Sequence, residues 1–556
     1  MRVALVLVIV LAAGPAAAQE RPLAAVQPQE PPAVDLSVDA AVQRALERNL
    51  DIAVERLNPR TYDLSLAALR AAYRPAFSSQ LGYRDATQFT RSQISGAPVL
   101  TTETLTANTG ITQALPWGGG SVSLTFNNSR LNQSDQFAIR NPTLQTNLTA
   151  TFLQPLLRGF AIDSTRAQLR ITRINQSISE AQLKSTIVAT LAQVRNAYWD
   201  LVYAIEAVEV ARRSLDLATK LVQDNRMRVE IGTMAPIDVI QAEAEEASRR
   251  QVLAQAEATR RTAELALKRL IVSGTDDPLW NARINPIDRP PFDPQPIDVE
   301  AAIRRAMAER LDLEQAKRQI EGSTVSLDLL RNQTLPAVDL VASYSVQGIG
   351  GPQFIRGGLG GAITAVIPGG YEDALRTLLR QDAPTWNLQL NVSYPLGTSA
   401  AEANAARARL QLQQAQAQLK ALQLQVATEV TNAALQVQSN LQRVEAARAA
   451  RELAEKRLEA EMSKFEVGMS TNYFVVQAQR DLADAQNVEL RARLDYHKSL
   501  VDFERVQQTG LSRAGITIVS SGGGGGSAGG AGAGAAGGQA GGGAIGGPGG
   551  AGGPGG

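Results

Sequence analysis

From Thr385 to Tyr394 every second residue is apolar: Trp386, Leu388, Leu390, Val392 and Tyr394 alternate with Asn387, Gln389, Asn391 and Ser393. Period two puts the two sets on opposite faces of a strand, one apolar and one wet. Val338, Leu340, Ala342, Tyr344 and Val346 repeat the pattern, as do Phe77, Leu81 and Tyr83, then Val122, Leu124 and Phe126, then Leu144, Leu148, Ala150 and Phe152. About nine residues tilted near 45° cross a hydrocarbon core, with aromatics suited to its interfaces. A soluble β-sandwich alternates in a similar way. In lipid, however, a sheet must close on itself, and the smallest barrels close with about eight strands. Two strands in the second half of the chain and two to four in the first are too few, so a barrel requires several copies.

Elsewhere the period changes. Ser164 to Glu230 and Thr398 to Val467 contain neither proline nor glycine, and at 1.5 Å per residue each run extends roughly 100 Å as a helix. Ile187, Leu191, Val194, Tyr198, Leu201, Ile205 and Val208 step by four and three, and Leu412, Ala415, Leu419, Leu422, Val426, Val430, Ala433, Val437, Leu441 and Val444 do nearly the same. That is coiled-coil spacing. Each run meets a glycine, Gly232 or Gly468, and a shorter apolar-periodic helix returns to about Leu270 or Val506. Pro75 and Pro336 stand where helical pattern gives way to alternation, and Pro155 and Pro395 where alternation ends before the long helices. Proline suits such junctions because it lacks a donor and restricts the preceding residue.

The two halves are copies. Residues 38–83 superpose without a gap on 299–344, pairing Ala40 with Ala301, Leu50-Asp51 with Leu311-Asp312 and Pro75-Ala76 with Pro336-Ala337; farther on, Gly232 pairs with Gly468 and Gln241-Ala242 with Gln477-Ala478. Between them, residues 273–298 are dense in Pro and Asp and read as a linker with little regular structure.

Arg2, the apolar run Val3–Ala13 and Ala16-Ala17-Ala18 make a secretory signal cleaved before Gln19, too short for a permanent span. No cysteine is present, which excludes disulfides, thiolate metal sites and a lipidated N-terminus. With 55 basic and 54 acidic residues the charge is balanced, and no basic field exists to gather nucleic acid. The single histidine, His497, lies in a helical pattern and reads as a packed or solvated side chain. The glycines from residue 522 onward lack the Lys-Ser/Thr of a phosphate loop and read as a disordered tail. No catalytic, cofactor or metal constellation can be built, so neither an enzyme nor a cofactor is expected. A coiled-coil adaptor or scaffold without a pore is the competing reading; the lipid-facing strands count against it.

The ordered set of duplicated helix, proline, strands, proline, long helix, glycine turn and returning helix, with QPLLRG at 154–159, YPLG at 394–397, RMRVEIGTMAPIDVIQAEA and SKFEVGMSTNYFVVQAQRD, resembles the TolC family of outer-membrane efflux proteins over about residues 36–510. The resemblance implies an α+β membrane protein: a homotrimer whose duplicated halves form an outer-membrane β-barrel, with four strands per subunit, continued by a periplasmic α-helical coiled-coil barrel. It implies as partners a periplasmic adaptor (membrane fusion) protein and an inner-membrane transporter of RND, ABC or MFS type, besides outer-membrane lipid. The turns Ile231-Gly232-Thr233 and Val467-Gly468-Met469 become the adaptor-docking tips. Some family members hold cations at the tunnel entrance with aspartates six and nine residues after the second-half glycine. Here those places are Phe474 and Gln477, while Asp238 occupies the sixth place in the first half; Phe474 is read as an apolar entrance gate or as core. The domain reading is signal peptide 1–18, N-terminal linker 19–35, first repeat 36–272 (strands 76–155, hairpin 164–270), linker 273–298, second repeat 299–510 (strands 337–395, hairpin 399–508) and tail 511–556. Two insertions depart from the family: ITQALPWGGGSVSLTFNNS, an extra hairpin, and GIGGPQFIRGGLGGAITAVIPGGYEDALRTLLRQDAP, a glycine-rich loop with one short helix.

Overall fold

The computed structural model describes residues 33–89, 98–289, 296–358, 361–397 and 399–508. The expected signal peptide, the N-terminal linker up to residue 32 and the glycine-rich tail lie outside the described residues. In chain order the first half comprises β1 (Ala33–Leu36), α1 (Val38–Arg48), α2 (Leu50–Glu55), α3 (Asn58–Ala71), β2 (Ala76–Phe89), β3 (Val99–Ala114), β4 (Ser121–Gln133), β5 (Thr143–Pro155), α4 (Ser164–Glu230) and α5 (Pro236–Ile271). After α6 (Pro278–Asn281) and β6 (Arg283–Pro286), the second half runs α7 (Val299–Glu309), α8 (Leu311–Gln333), β7 (Ala337–Gly350), β8 (Gln353–Arg356), β9 (Ile363–Ile367), α9 (Tyr371–Arg380), β10 (Pro384–Ser393), α10 (Ala400–Glu466) and α11 (Asn472–Gln507).

Local chemistry sets the helix starts. The side chains of Asp163 and Ser399 accept from the amides of Arg166 and Glu402 at the starts of α4 and α10, and Ser37 and Asp298 do the same for α1 and α7. Each 67-residue helix is then held by its apolar seam. Val194, Tyr198 and Leu201 are fully buried on α4, and on α10 Val426 and Val430 pack with Ala302, Ala306, Leu313 and Val506. Such burial is worth roughly 1.5–3 kcal/mol per large side chain.

The region between the halves is more ordered than its composition indicates. β6 pairs in parallel with β1, matching Ala33–Leu36 to Arg283–Pro286, with Leu36 and Ile284 buried. Tyr198 of α4 donates its hydroxyl hydrogen to the Leu36 carbonyl at 2.9 Å and accepts from the Asp288 amide at 3.1 Å. Buried Asp277 accepts from Arg44 and Arg48 at 2.6 and 2.8 Å. The segment read as irregular linker therefore straps the first half; the strand pair escapes a local reading because its partners come from opposite ends of the repeat.

Six strands form one antiparallel sheet in the order β10-β7-β5-β4-β3-β2. The extra hairpin is part of it: β3 and β4 stand between β2 and β5. Register carries one row across all six strands, Phe77, Ile111, Leu124, Ala150, Tyr344 and Trp386, with Leu388, Ala342, Phe152 and Val122 in the row on the helix side. Over its half nearer the helices that face is largely apolar, while farther out it carries Asp85, Glu103 and Arg130; the opposite face carries mostly Ser, Thr, Asn and Gln. Both outer strands, β2 and β10, leave one edge unpaired among the described residues.

The second insertion folds back onto the apolar face at the end of the sheet away from the helices. There Asn128 and Thr146 interrupt the apolar pattern, and α9 covers them: Tyr371 Oη donates to Asn128 Oδ1 at 2.7 Å, and Thr146 Oγ1 donates to the Ala374 carbonyl at 3.3 Å. Gly348 permits this approach, since a Cβ there would lie 2.0 Å from the Ala374 carbonyl oxygen. The insertion read as loop and one short helix also holds the β8–β9 hairpin.

Candidate functional site

At the end of the helices away from the sheet, each hairpin turns through a glycine in the left-handed region, Gly232 at φ 77° and Gly468 at φ 79°. Nothing lies within 4 Å of a Cβ built on either. The Thr233 amide returns to the Arg228 carbonyl and the Met469 amide to the Lys464 carbonyl, at 2.9 and 2.8 Å, closing each helix C-terminus. Thr233 Oγ1 adds a bond to the same Arg228 carbonyl at 3.0 Å. Pro236 then opens α5, where its missing donor costs nothing. Ile231, Val467 and Met469 are each more than 70% exposed, and Ile237 and Ile240 beside them are also exposed.

The two tips are tied to one another by residues that the sequence reading passed over. Buried Asn225 donates from Nδ2 to Oδ1 of buried Asn472 at 3.0 Å, and Asn472 Nδ2 donates to the Asp238 carbonyl at 3.2 Å. Arg228 donates to the Phe465 carbonyl at 3.2 Å and stacks 4.4 Å from the centroid of the Phe465 ring. Lower down, buried Glu245 of α5 accepts from Arg249 at 2.6 Å and from Arg480 Nε of α11 at 2.8 Å. Burial pushes the Glu245 carboxyl up, but the Arg480 and Arg249 hydrogen bonds outweigh it and hold the group below its ordinary value. A signal for Asn225 did exist: Ala218, Val222 and Asn225 continue the four-three seam, so a polar residue stands where the pattern demands an apolar one.

Of the residues singled out at the entrance, Phe474 is half exposed and packs edge to face on Tyr473, with ring centroids 5.5 Å apart. The buried apolar side chain of that turn is Val475, clustered with Leu221 and Phe465. Gln477 donates to Asp481 at 2.8 Å, and Asp481 is paired with Arg457 at 2.7 Å. Asp238 meets the second tip through its backbone carbonyl. Pro75 lies between α3 and β2 and Pro336 between α8 and β7, while Pro155 ends β5 and Pro395 stands two residues beyond the end of β10. Among the described residues, no group of three or more His, Asp or Glu is placed to hold a metal ion, and no helix is long and apolar enough to cross a membrane.

The sequence profile of the outer membrane efflux proteins matches residues 103–272 and 302–506. The chain belongs to this family. It is a channel protein rather than an enzyme, of the TolC-like kind that the ordered motifs resemble. Among solved structures it is similar to the Campylobacter jejuni CmeC outer membrane channel, with 14% identity, TM-score 0.60 and coverage of 85% of this chain and 86% of that one. It is likewise similar to the Vibrio cholerae outer membrane protein VceC (16% identity, TM-score 0.59, 84% and 95% covered) and to the open state of the Neisseria gonorrhoeae MtrE channel (18%, 0.58, 86% and 91%). No curated protein sequence matches the chain. At these identities the structures speak for the shared fold, which duplicates strand and long-helix halves.

Proposed function

We propose that three copies of this chain form a passive export duct, with the sheets closing a barrel in the outer membrane and the helical hairpins continuing it through the periplasm. In this reading a periplasmic adaptor seats on the tips around Gly232 and Gly468, and an inner-membrane transporter supplies cargo, as in efflux or type I secretion. The observation that carries it is the sheet: one face largely apolar, one face largely polar, and both outer edges unpaired among the described residues. In lipid an open edge costs several kcal/mol per unsatisfied backbone group, so β2 of one copy needs β10 of the next. A scaffold without a pore has no use for such a sheet. Mass measurement of the detergent-solubilised particle tests the reading: three chains are expected, and a monomer would overturn it.

A further inference from the structure

The polar face of the sheet has an order of its own. Register places Gln80, Asn108, Asn127, Asn147 and Gln347 in a single row across β2, β3, β4, β5 and β7. The next row toward the helices is Ser78, Gly110, Thr125, Thr149, Ser345 and Thr385, all hydroxyls but for one glycine. On the whole polar face of the described strands the charged residues are Arg84 and Asp339, near opposite ends of the sheet. Asn108 and Asn127, the centre of the amide row, lie on the inserted hairpin.

Resting on the trimeric duct proposed above, we infer that this chain closes an eighteen-stranded barrel whose lumen carries a belt of uncharged amides suited to a bulky, uncharged, polyhydroxylated cargo such as a glycan chain. Six strands from each of three copies make eighteen, because β3 and β4 extend the sheet instead of leaving it. With strands ~4.8 Å apart and tilted about 45°, the backbone diameter is roughly 39 Å, against roughly 26 Å for twelve strands. A barrel of that strand count holds a water-filled channel. Each amide offers a carbonyl acceptor and two N–H donors, which match sugar hydroxyls of either sense. An ion finds few countercharges on this wall, and its apolar side chains, Leu153 beside Val341 nearer the helices and Leu131 and Ile349 farther out, stand off the amide and hydroxyl rows. One of the amides is also braced: Asn147 Oδ1 accepts from Ser345 and Thr149 at 2.8 and 3.1 Å, which leaves its two N–H donors for another partner.

Two measurements on the full-length particle decide the matter. Electron cryomicroscopy of the solubilised trimer is expected to count eighteen strands. A trimer with twelve, its hairpin off the wall, overturns this inference alone, whereas a particle that is not a trimer overturns the duct reading with it. In planar bilayers, a neutral malto-oligosaccharide added on the extracellular side is expected to produce transient current interruptions that dextran sulfate does not. Asn108→Ala with Asn127→Ala should reduce their residence time several-fold and leave the strand count unchanged. Equal interruptions in parent and variant, stronger ones from the sulfated polymer, or none from the sugar overturn the cargo assignment.

Discussion

At the scale of single residues, Phe474 and His497 give opposite lessons. Phe474 is half exposed at the tip in the single chain, and its neighbour Val475 is the one that fills the core. A ring of apolar side chains from three copies would close a pore by dewetting, with no charge involved. Phe474→Ala should then raise single-channel conductance in a planar bilayer while leaving the melting temperature nearly unchanged; parental conductance would remove Phe474 from the gate. His497 is the reverse, a buried ring against Trp199 and Tyr496. Burial first, and the charge of Arg493 second, lower its pKa to about 4. The unfolded chain takes up that proton near pH 6.5 and the folded chain only near 4, so unfolding binds protons in between. Stability should therefore fall as pH drops through that window, by at most ~1.4 kcal/mol per pH unit per chain. Melting curves between pH 7 and 5 check this, and His497→Phe should flatten the dependence.

At the scale of elements, what was legible in the sequence is what local periodicity encodes. The long helices, their glycine turns and the alternating strands all follow from periods of 3.5 and 2, and from prolines and glycines whose backbone geometry is local. What was not legible depends on partners far apart in the chain. The β1–β6 strap needs Val34 to meet Ile284 and Leu36 to meet Pro286, and the pairing of Asn225 with Asn472 spans both repeats. The covering of Asn128 by α9 is of the same kind. Asn128 and Thr146, two of the polar breaks in that face, look like flaws until the helix that hides them is seen. Gly348→Val should expel that helix, since its Cβ would meet the Ala374 carbonyl at 2.0 Å. A loss of about 1–3 kcal/mol and new tryptic cleavage after Arg376 and Arg380 are expected, with the sheet still assembled. A parental digestion pattern would show that α9 does not depend on the glycine.

At the scale of the whole molecule, the sheet at one end and the tips at the other are separated by helices of 67 residues, roughly 100 Å. Among the described residues no group along that length is placed to hold a metal ion, and under the duct reading the two ends are what meet membrane and partner. The tips expose Ile231, Val467 and Met469, with Ile237 and Ile240 beside them, and apolar side chains gathered around two tight turns suit a surface for a partner to cover. Under the duct reading that partner is the adaptor. The two glycines serve it by keeping the turns narrow in a left-handed conformation that costs other residues about 1–2 kcal/mol. Gly232→Val with Gly468→Val should strain both turns by that amount and enlarge them, while the sheet and the seam far away keep the trimer intact. The measurement is paired: the mass of the solubilised particle, expected to remain that of three chains, and export in cells lacking the parental protein, expected to fall to background. Ile231→Asp with Met469→Asp probes the same contact without touching the backbone, and should abolish export likewise. Undiminished export in both double variants, with trimers present, would mean that the adaptor seats elsewhere on the hairpins.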